Sequence, residues 1–144
     1  MATVTTSNRE PMEWLGLMAD ADGALNLSAF APLSDATGAL ARETGPDGPR
    51  PVVLAVLGSS MNSGKSTVLG CLVHGLSNAG LKVAAGKATG TGAGNDPNLF
   101  RDAGAVRVID FTDFGHATTF RLDYATVRSM LATLVDELSA GGPD

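Results

Sequence analysis

A chain of 144 residues is long enough for one packed core, and one domain is the default expectation at this length. Hydrophobic residues make up 44% of the sequence, enough for a core, and the net charge of −5 comes without any cluster of Lys and Arg. These values argue against a main role in binding nucleic acid. The longest apolar run near the middle, residues 52–57, is far shorter than the roughly 20 residues that span a bilayer, so no membrane association is expected.

Cysteine content and the N-terminal sequence predict a soluble cytoplasmic protein. Cys71 is the single cysteine, which excludes an internal disulfide and a cysteine-based zinc cluster. Its place on a predicted helix favours a small buried hydrophobic residue. The stretch MATVTTSNREPMEWL at the start lacks the basic and apolar regions of a signal peptide.

Residues 1–50 are predicted to form an N-terminal segment with weak structural signals. A short helix is expected around residues 11–18, where Trp14 is interpreted as a packing residue. Residues 33–51 are rich in Gly, Pro, Asp and Arg, which is typical of a linker or a surface loop. Residues 51–144 form the predicted domain.

A strand, a helix and a second strand are predicted to follow one another from residue 52. Residues 52–57, VVLAVL, form a continuous apolar run typical of a strand that is buried on both faces of a parallel sheet. A helix over residues 65–79 and a second strand over residues 81–85 follow. The three elements together predict a βαβ unit with a right-handed crossover.

The helix of this unit is predicted to bury one broad apolar face. Val68, Leu72 and Leu76 recur at a spacing of four residues, as on one side of a helix, and Leu69 and Val73 lie beside them. Gly80 follows the last of them and is suited to end the helix. His74 lies off this face and is interpreted as structural.

The rest of the chain continues the α/β pattern. The elements expected after the second strand are a Gly-rich loop (residues 86–98), a short helix (99–103), a strand (106–110) and another loop (111–119). Apolar residues then recur at helical spacing over residues 124–138, with Asp123 as the N-cap and Gly141 as the stop. The predicted fold class is α/β with a parallel sheet.

The sequence GSSMNSGKST, residues 58–67, has the features of a phosphate-binding loop between a strand and a helix. Gly64 permits a close approach of the backbone, Lys65 would contact the β- and γ-phosphates, and Ser66 would ligate Mg²⁺. Thr67 is suited to donate a hydrogen bond to the α-phosphate. The predicted nucleotide-binding residues of the loop are Gly58, Ser59, Asn62, Ser63, Gly64, Lys65, Ser66 and Thr67.

Five residues separate the first Gly of this loop from its Gly-Lys pair, which resembles the longer loop of dethiobiotin synthetase and its relatives among P-loop proteins. The string AGKATGTG, residues 85–92, resembles the second-strand motif of that family, and the following Asn-Asp dipeptide resembles its Ser-Asp pair. The resemblance implies that Lys87 and Thr91 line the phosphate and substrate cleft. It also implies that Asp96 helps to hold Mg²⁺.

A closer resemblance is to an uncharacterised family of dethiobiotin-synthetase-like P-loop proteins. Its members have strings similar to GSSMNSGKST, KATGTGAGND, DAGA and DFTDFGHATTFRL at these separations, over about residues 52–135. The resemblance implies a P-loop NTPase domain with a parallel sheet. It also makes Thr118, Thr119 and Arg121 candidates for contacts with substrate or phosphate.

Two departures from these families limit the reaction that the sequence predicts. Asn62 and Ser60 stand where dethiobiotin synthetase has acidic residues, which argues against binding of the diamino substrate of biotin synthesis. Both families also place an apolar strand ending in an acid after the helix that here ends near Leu138. The sequence ends at Asp144, so we expect a fragment of a longer protein or a chain that obtains this acid elsewhere. A truncated sheet would also expose an edge and would allow homo-oligomerisation.

Three further side chains are candidates for function, each with an ordinary structural alternative. Asp110 closes a predicted strand and could hold Mg²⁺ through water, or it could be a solvent-facing acid at a strand end. Asp113 is a weaker case of the same idea. His116 could be a base or a phosphate donor, but a single His without an identified partner is more often a surface residue.

These features predict a Mg-ATP-binding P-loop protein that activates a small molecule by phosphoryl transfer, as the resemblance to dethiobiotin synthetase implies. Lys65 and Lys87 would act on the transferring phosphoryl group, and Ser66, Asp96 and Asp110 would position Mg²⁺. One alternative is a non-catalytic or regulatory nucleotide-binding module, or a truncated remnant of an enzyme. Another is a GTP-binding accessory protein of molybdopterin cofactor assembly, a class whose fold is related. The sequence has no base-specificity motif such as Asn-Lys-x-Asp, so it does not decide between ATP and GTP.

Overall fold

The N-terminal part of the computed structural model contains three short antiparallel strand pairs and a 3-10 helix. The pairs join β1 (Val4–Thr5) to β2 (Pro11–Met12), β3 (Ala19–Asp20) to β4 (Gly23–Ala24), and β5 (Thr44–Gly45) to β6 (Gly48–Pro49). The 3-10 helix spans Leu27–Phe30. The residues that the structure describes are 4–5, 11–12, 19–34, 44–45, 48–49, 51–60, 62–92 and 95–144.

The predicted helix around residues 11–18 is wrong at its start, because β2 begins there and pairs with β1. The remainder of that prediction, residues 13–18 with Trp14, lies outside the described residues. The end of the N-terminal segment contacts the domain, since the Leu33 N–H donates a hydrogen bond of 2.9 Å to the Asp113 carbonyl.

Helices and strands alternate through the C-terminal part of the chain. In order, they are α1 (Lys65–Asn78), β7 (Ala84–Lys87), α2 (Asp96–Asp102), β8 (Arg107–Asp110), a 3-10 helix (Phe111–Phe114) and α3 (Tyr124–Ser139). The predicted α/β class is therefore confirmed at this level. No helix in the described ranges is long and apolar enough to cross a membrane.

The two longer strands, β7 and β8, pair in parallel, and α2 connects them. Ala85 lies opposite Val108, and Gly86 lies opposite Ile109. Because successive residues of a strand face opposite sides of a sheet, these two registers point to different layers. The pair is covered by α1 and α2 on one face and by α3 on the other.

Each face of this strand pair has its own hydrophobic cluster. The cluster under α1 and α2 contains the buried residues Val73, Ala85 and Phe100, with Leu69, Val83, Ala103, Ala105 and Val108 packed against it. The cluster under α3 contains Ile109, Phe111, Phe114, Met130 and Leu134, with Leu33 and Leu138 packed against it. The sheet is therefore the central layer of a three-layer α/β/α arrangement.

Residues 52–57 form neither a helix nor a strand, and the prediction of a buried strand here is wrong. Val52 is 80% exposed and Leu57 is 89% exposed. A strand is stabilised by packing and pairing with its neighbours, and within the described ranges no strand pairs with this segment. The predicted βαβ unit around α1 is therefore not formed, and the parallel crossover runs through α2 instead.

The second strand, predicted over residues 81–85, begins later than expected because residues 80 and 81 form the cap that ends α1. Gly80 has a left-handed φ of 88° and donates to the Ser77 carbonyl, and Leu81 N–H donates to the Leu76 carbonyl. These two bonds form a Schellman motif that ends the helix, as the glycine predicts. Leu81 is thus part of the helix cap, and β7 starts at Ala84.

The predicted apolar face of α1 is only partly buried, although the boundaries of the helix are close to the expected ones. Val73 is buried and Leu69 packs against the same cluster, whereas Val68 is 51% exposed and Leu72 is 39% exposed. Gly70 faces Leu99 of α2, and an added Cβ atom would be 3.3 Å from the Leu99 Cγ. The side of α1 that carries Gly70 and Val73 is therefore the side that packs against α2. Cys71 is exposed, contrary to the prediction of a buried residue.

The other two helices show where local signals were sufficient. The helix predicted over residues 124–138 is confirmed as α3, and Asp123 is its N-cap, as predicted. The short helix predicted at 99–103 begins three residues earlier, at Asp96, so the preceding loop is shorter than expected. Pro97 in the first turn of α2 is the start signal that indicates this boundary.

Candidate functional site

The predicted phosphate loop leads directly into α1 through Gly64. This residue is the N-cap and has a left-handed φ of 84°, a conformation that glycine adopts without steric cost. Gly64 provides no side-chain cap, and the first turn of α1 contains no acidic residue. The amide groups of this turn are therefore not covered by a capping side chain, and the helix dipole favours an anion in front of them.

The side chain of Lys65 folds back over its own loop. Its Nζ donates to the Ser60 carbonyl at 2.5 Å and to the Ser63 Oγ at 3.2 Å. Gly58 lies under this bend, because an added Cβ atom would be 2.3 Å from Ser63 Oγ and 2.8 Å from Lys65 Cγ. The loop thus closes on itself around the lysine, and its first glycine makes that closure possible.

The predicted loop residues differ in exposure. Lys65 and Ser66, in the first turn of α1, are half-buried, whereas the other predicted contacts are exposed, namely Gly58, Ser59, Asn62, Ser63, Gly64 and Thr67. Asn62 has a positive φ of 60°, which a short polar side chain tolerates. Most of the loop is therefore exposed to solvent, and its backbone turns sharply at Asn62 and Gly64.

Lys87 and Asp96, two of the residues implied by the family resemblance, are brought together. Lys87 is the last residue of β7, and its Nζ forms an ion pair with Asp96 Oδ2 at the start of α2. Both side chains are about one-fifth exposed, at 22% and 21%. The Lys87 Nζ also lies 5.8 Å from the centroid of the Phe111 ring, within the range of a cation–π interaction.

Asp110 lies opposite Lys87 in the parallel register but takes part in a local cap. Its Oδ1 accepts hydrogen bonds from the Thr112 N–H and the Thr112 hydroxyl, and its N–H donates to Asp113 Oδ2 at 2.8 Å. The two aspartates therefore form a capping box on the 3-10 helix that follows β8. Asp110 is 6% exposed, so it is not the solvent-facing acid of the structural alternative.

Thr91 and Thr118 pair across two loops that meet beside Lys87. They form an isolated antiparallel bridge, and the Gly92 N–H donates to the Ala117 carbonyl at 2.8 Å. Thr119 lies next to this bridge and is hydrogen-bonded to Gly90. The glycine-rich loop after β7 is thereby fastened to the loop before α3.

The remaining candidates have contacts of other kinds. His116 lines a groove of about 320 Å³ with Leu33, Phe114 and Met130, among other residues. The guanidinium of Arg121 lies over Phe120, 5.2 Å from the ring centroid, and both residues are exposed. On α1, His74 Nε2 accepts a hydrogen bond from Asn78 one turn later, when the ring carries its proton on Nδ1.

The sequence did not predict roles for Gly90 and Phe111, which contact or lie beside the Lys87 side chain. An added Cβ at Gly90 would be 2.7 Å from Lys87 Cε, and Gly90 has a φ of 147°. A glycine at position 90 is the sequence signal for this contact, but it does not indicate which side chain occupies the space. Nothing in the sequence distinguishes Phe111 from any other apolar residue that follows a strand.

The chemistry of the donor set fits a phosphate with Mg²⁺ better than a metal bound by protein alone. Within the described ranges, no group of three or more His, Cys, Asp or Glu side chains could hold a metal ion. Mg²⁺ bound with a nucleotide needs few protein ligands, because phosphate oxygens and water complete its coordination. Ser66, at the start of α1, is a suitable hydroxyl, and Asp96 a suitable carboxylate.

Comparison with protein-family models, with curated proteins and with solved structures finds no match to this chain. The candidate site is therefore defined by the geometry of the chain itself. The candidate residues form two groups, namely the loop that ends at Gly64 with the amino end of α1, and the Lys87–Asp96 ion pair at the end of β7.

Proposed function

We propose that this protein binds Mg-ATP at residues 58–67 as a P-loop protein of the dethiobiotin-synthetase-like type. The observation that carries the proposal is the closed loop in front of α1. In that loop, Lys65 folds back onto Ser60 and Ser63, and Gly64 turns the chain into a helix without a side-chain cap. A lysine and uncapped amides around a glycine turn form a favourable environment for phosphate oxygens.

Within this proposal, Lys65 exchanges its loop acceptors for phosphate oxygens when nucleotide binds. The Ser60 carbonyl and the Ser63 hydroxyl are uncharged, so a phosphate is the stronger acceptor for an ammonium group. Ser66 and Asp96 are the residues that would hold Mg²⁺, which would neutralise charge on the phosphates.

The Lys87–Asp96 ion pair supports a role in phosphate and metal binding by both partners. In the structure the two charges neutralise each other at a partly exposed position. A Mg-phosphate group carries the same two kinds of charge, so it offers each residue a replacement partner. We propose that Lys87 stabilises the transferring phosphoryl group and that the reaction is the ATP-dependent activation of a small molecule.

The proposed fold is a P-loop NTPase-like domain over residues 51–144. It is supported by the α/β class, the parallel strand pair and the resemblance in sequence motifs. A cytoplasmic location is proposed with it, on the sequence grounds given above.

The decisive experiment is calorimetric titration of the chain with Mg-ATP, comparing wild type with Lys65→Ala. Loss of one charged hydrogen-bond donor should weaken binding by about tenfold or more. Lys82→Ala is the matched control, because Lys82 is exposed beyond the end of α1 and should leave binding unchanged. Equal affinities for wild type and Lys65→Ala would show that the loop does not bind the nucleotide.

Two further measurements separate the proposed enzyme from its alternatives. Release of phosphate or ADP in the presence of metabolite mixtures supports phosphoryl transfer, whereas tight Mg-dependent binding without turnover favours a regulatory or remnant module. Competition between ATP and GTP tests the base preference. Exclusive GTP binding would contradict the ATP assignment and favour an accessory role in cofactor assembly.

A further inference from the structure

We propose that Thr119 is a positioning residue that holds Gly90 against the side chain of Lys87. This inference rests on the proposed function for the role of Lys87 in phosphate binding. It adds to it a residue on another loop, about 30 positions along the chain, that fixes where the ammonium group lies. Gly90 contacts both Lys87 and Thr119.

A side chain at Gly90 would displace the end of the Lys87 side chain from its present position. An added Cβ atom would be 2.7 Å from Lys87 Cε, 3.1 Å from Lys87 Nζ and 3.5 Å from Phe111 Cε1. The end of the lysine side chain therefore lies directly against the Gly90 backbone. Movement of that backbone moves the surface on which the ammonium group rests.

Thr119 holds the same glycine through both of its backbone polar groups. The Gly90 N–H donates to the Thr119 Oγ1 at 2.9 Å, and the Thr119 N–H donates to the Gly90 carbonyl at 2.9 Å. The Thr118 hydroxyl adds a longer bond of 3.2 Å to the same carbonyl. The Thr119 hydroxyl also donates a long bond of 3.5 Å to this carbonyl, so a substitution that removes the hydroxyl removes both of its bonds to Gly90.

The hydroxyl of Thr119 is needed because the bond it accepts is partly buried. Valine has the shape of threonine but accepts no hydrogen bond, so Thr119→Val leaves the Gly90 N–H without its acceptor. Serine keeps the hydroxyl and loses only a methyl group. If the hydrogen bonds between Thr119 and Gly90 position Lys87, the serine variant should behave as wild type and the valine variant should not.

The first test measures Lys87 directly and needs no ligand. The chain contains three lysines, Lys65, Lys82 and Lys87, so lysine labelled with ¹³C at Cε gives three assignable signals. Thr119→Val and Thr119→Ala should shift the Lys87 signal and leave the Lys82 signal in place, and Thr119→Ser should restore it. An unchanged Lys87 signal in both the valine and the alanine variants would contradict the proposal that Thr119 positions Lys87.

The second test measures Mg-ATP affinity in a double-mutant cycle with Lys87→Met. Thr119→Val should weaken binding by about tenfold in the wild-type background, and by no more than about twofold when Lys87 is absent. An equal loss in both backgrounds would mean that Thr119 acts on the loop and not through Lys87, which contradicts the proposal. If wild type does not bind Mg-ATP, the proposed function fails, and the lysine signal alone decides whether Thr119 positions Lys87.

Discussion

Gly86 of β7 lies so close to Leu138 of α3 that an ideal Cβ atom on the glycine would be 2.7 Å from Leu138 Cδ1. The same atom would be 2.8 Å from Leu134 Cδ2 and 3.2 Å from the Ile109 carbonyl oxygen on β8. The missing side chain therefore lets α3 pack directly on the sheet. Leu134 is buried in the cluster beneath α3, so this space is not easily recovered by a small shift.

Gly86→Ala should destabilise the protein by about 1–2 kcal/mol, as expected for one extra methyl group in a packed interior. The direction is informative, because alanine is otherwise more favourable than glycine inside a strand. Urea unfolding monitored by circular dichroism measures the change. Gly75→Ala is the matched control, since an added Cβ at that position on α1 has no neighbour within 4 Å.

The control variant should have the opposite sign. Gly75 lies in the interior of α1, so alanine there should stabilise the helix by about 0.5–1 kcal/mol. Two glycine-to-alanine changes with opposite effects would separate packing from backbone entropy. A stabilising Gly86→Ala would mean that α3 is not in contact with β7 as described.

Thr133→Val should leave stability unchanged or raise it by up to about 2 kcal/mol. Thr133 is 6% exposed, and its Oγ1 has no hydrogen-bond partner among the described residues. Valine replaces this buried hydroxyl with a methyl group of similar volume. Thr133→Ser keeps the hydroxyl and removes the methyl, so it should be less stable than wild type. A valine variant less stable than the serine variant would show that the hydroxyl has a partner.

Asp123 should contribute to stability at neutral pH and lose that contribution in acid. Hydrogen bonds from the Thr126 hydroxyl and then from the Thr126 N–H lower the pKa of Asp123 below its usual value of 3.8. A carboxyl group with a lowered folded pKa stabilises the protein above the unfolded pKa. The contribution is therefore complete above about pH 5 and is lost as the pH falls through the folded pKa.

Asp123→Asn isolates this titration, because asparagine also caps a helix but has no charge to lose. Thermal unfolding of both chains from pH 7 to pH 2.5 should give wild type a higher Tm than Asp123→Asn at neutral pH. The difference in Tm should become smaller below pH 3.8. A difference that is independent of pH would mean that the charge of Asp123 is not what stabilises the amino end of α3.

Gly58→Ala should weaken Mg-ATP binding by about tenfold and leave the free energy of unfolding within about 0.5 kcal/mol of wild type. The new Cβ would collide with Ser63 Oγ and with the stem of Lys65, and so displace the lysine that the proposal places on phosphate. The loop is exposed, so the fold should tolerate the change. Titration with Mg-ATP and urea unfolding measure the two effects. If Gly58→Ala binds Mg-ATP with the affinity of wild type, nucleotide binding does not depend on the closed conformation of the loop.

Local patterns were sufficient for the elements that depend on near neighbours in the sequence. The start of α1 at Lys65, the glycine cap after it, and α3 with its Asp123 cap all follow from spacing and capping residues. Such elements form their hydrogen bonds within a few positions, so the necessary partners are present in the sequence window. The start of α2 also has a local signal, because a proline such as Pro97 is typical of the first turn of a helix.

Partners distant in the sequence decided the rest. The apolar residues 52–57 predicted a buried strand, but a strand needs a neighbour, and the described structure pairs β7 with β8 instead. The periodicity of α1 indicated its apolar residues, but contacts with α2 decided that Val73 is buried while Val68 stays exposed.

The same division applies to the candidate site. The sequence by itself determined the loop around Lys65, because its glycines, lysine and hydroxyls lie within ten positions of one another. Only the tertiary structure decided that Lys87 pairs with Asp96, and that Thr119 reaches Gly90 from another loop. Those contacts exist because β7 and β8 are parallel, so that the segments after their carboxyl ends meet at one edge of the sheet.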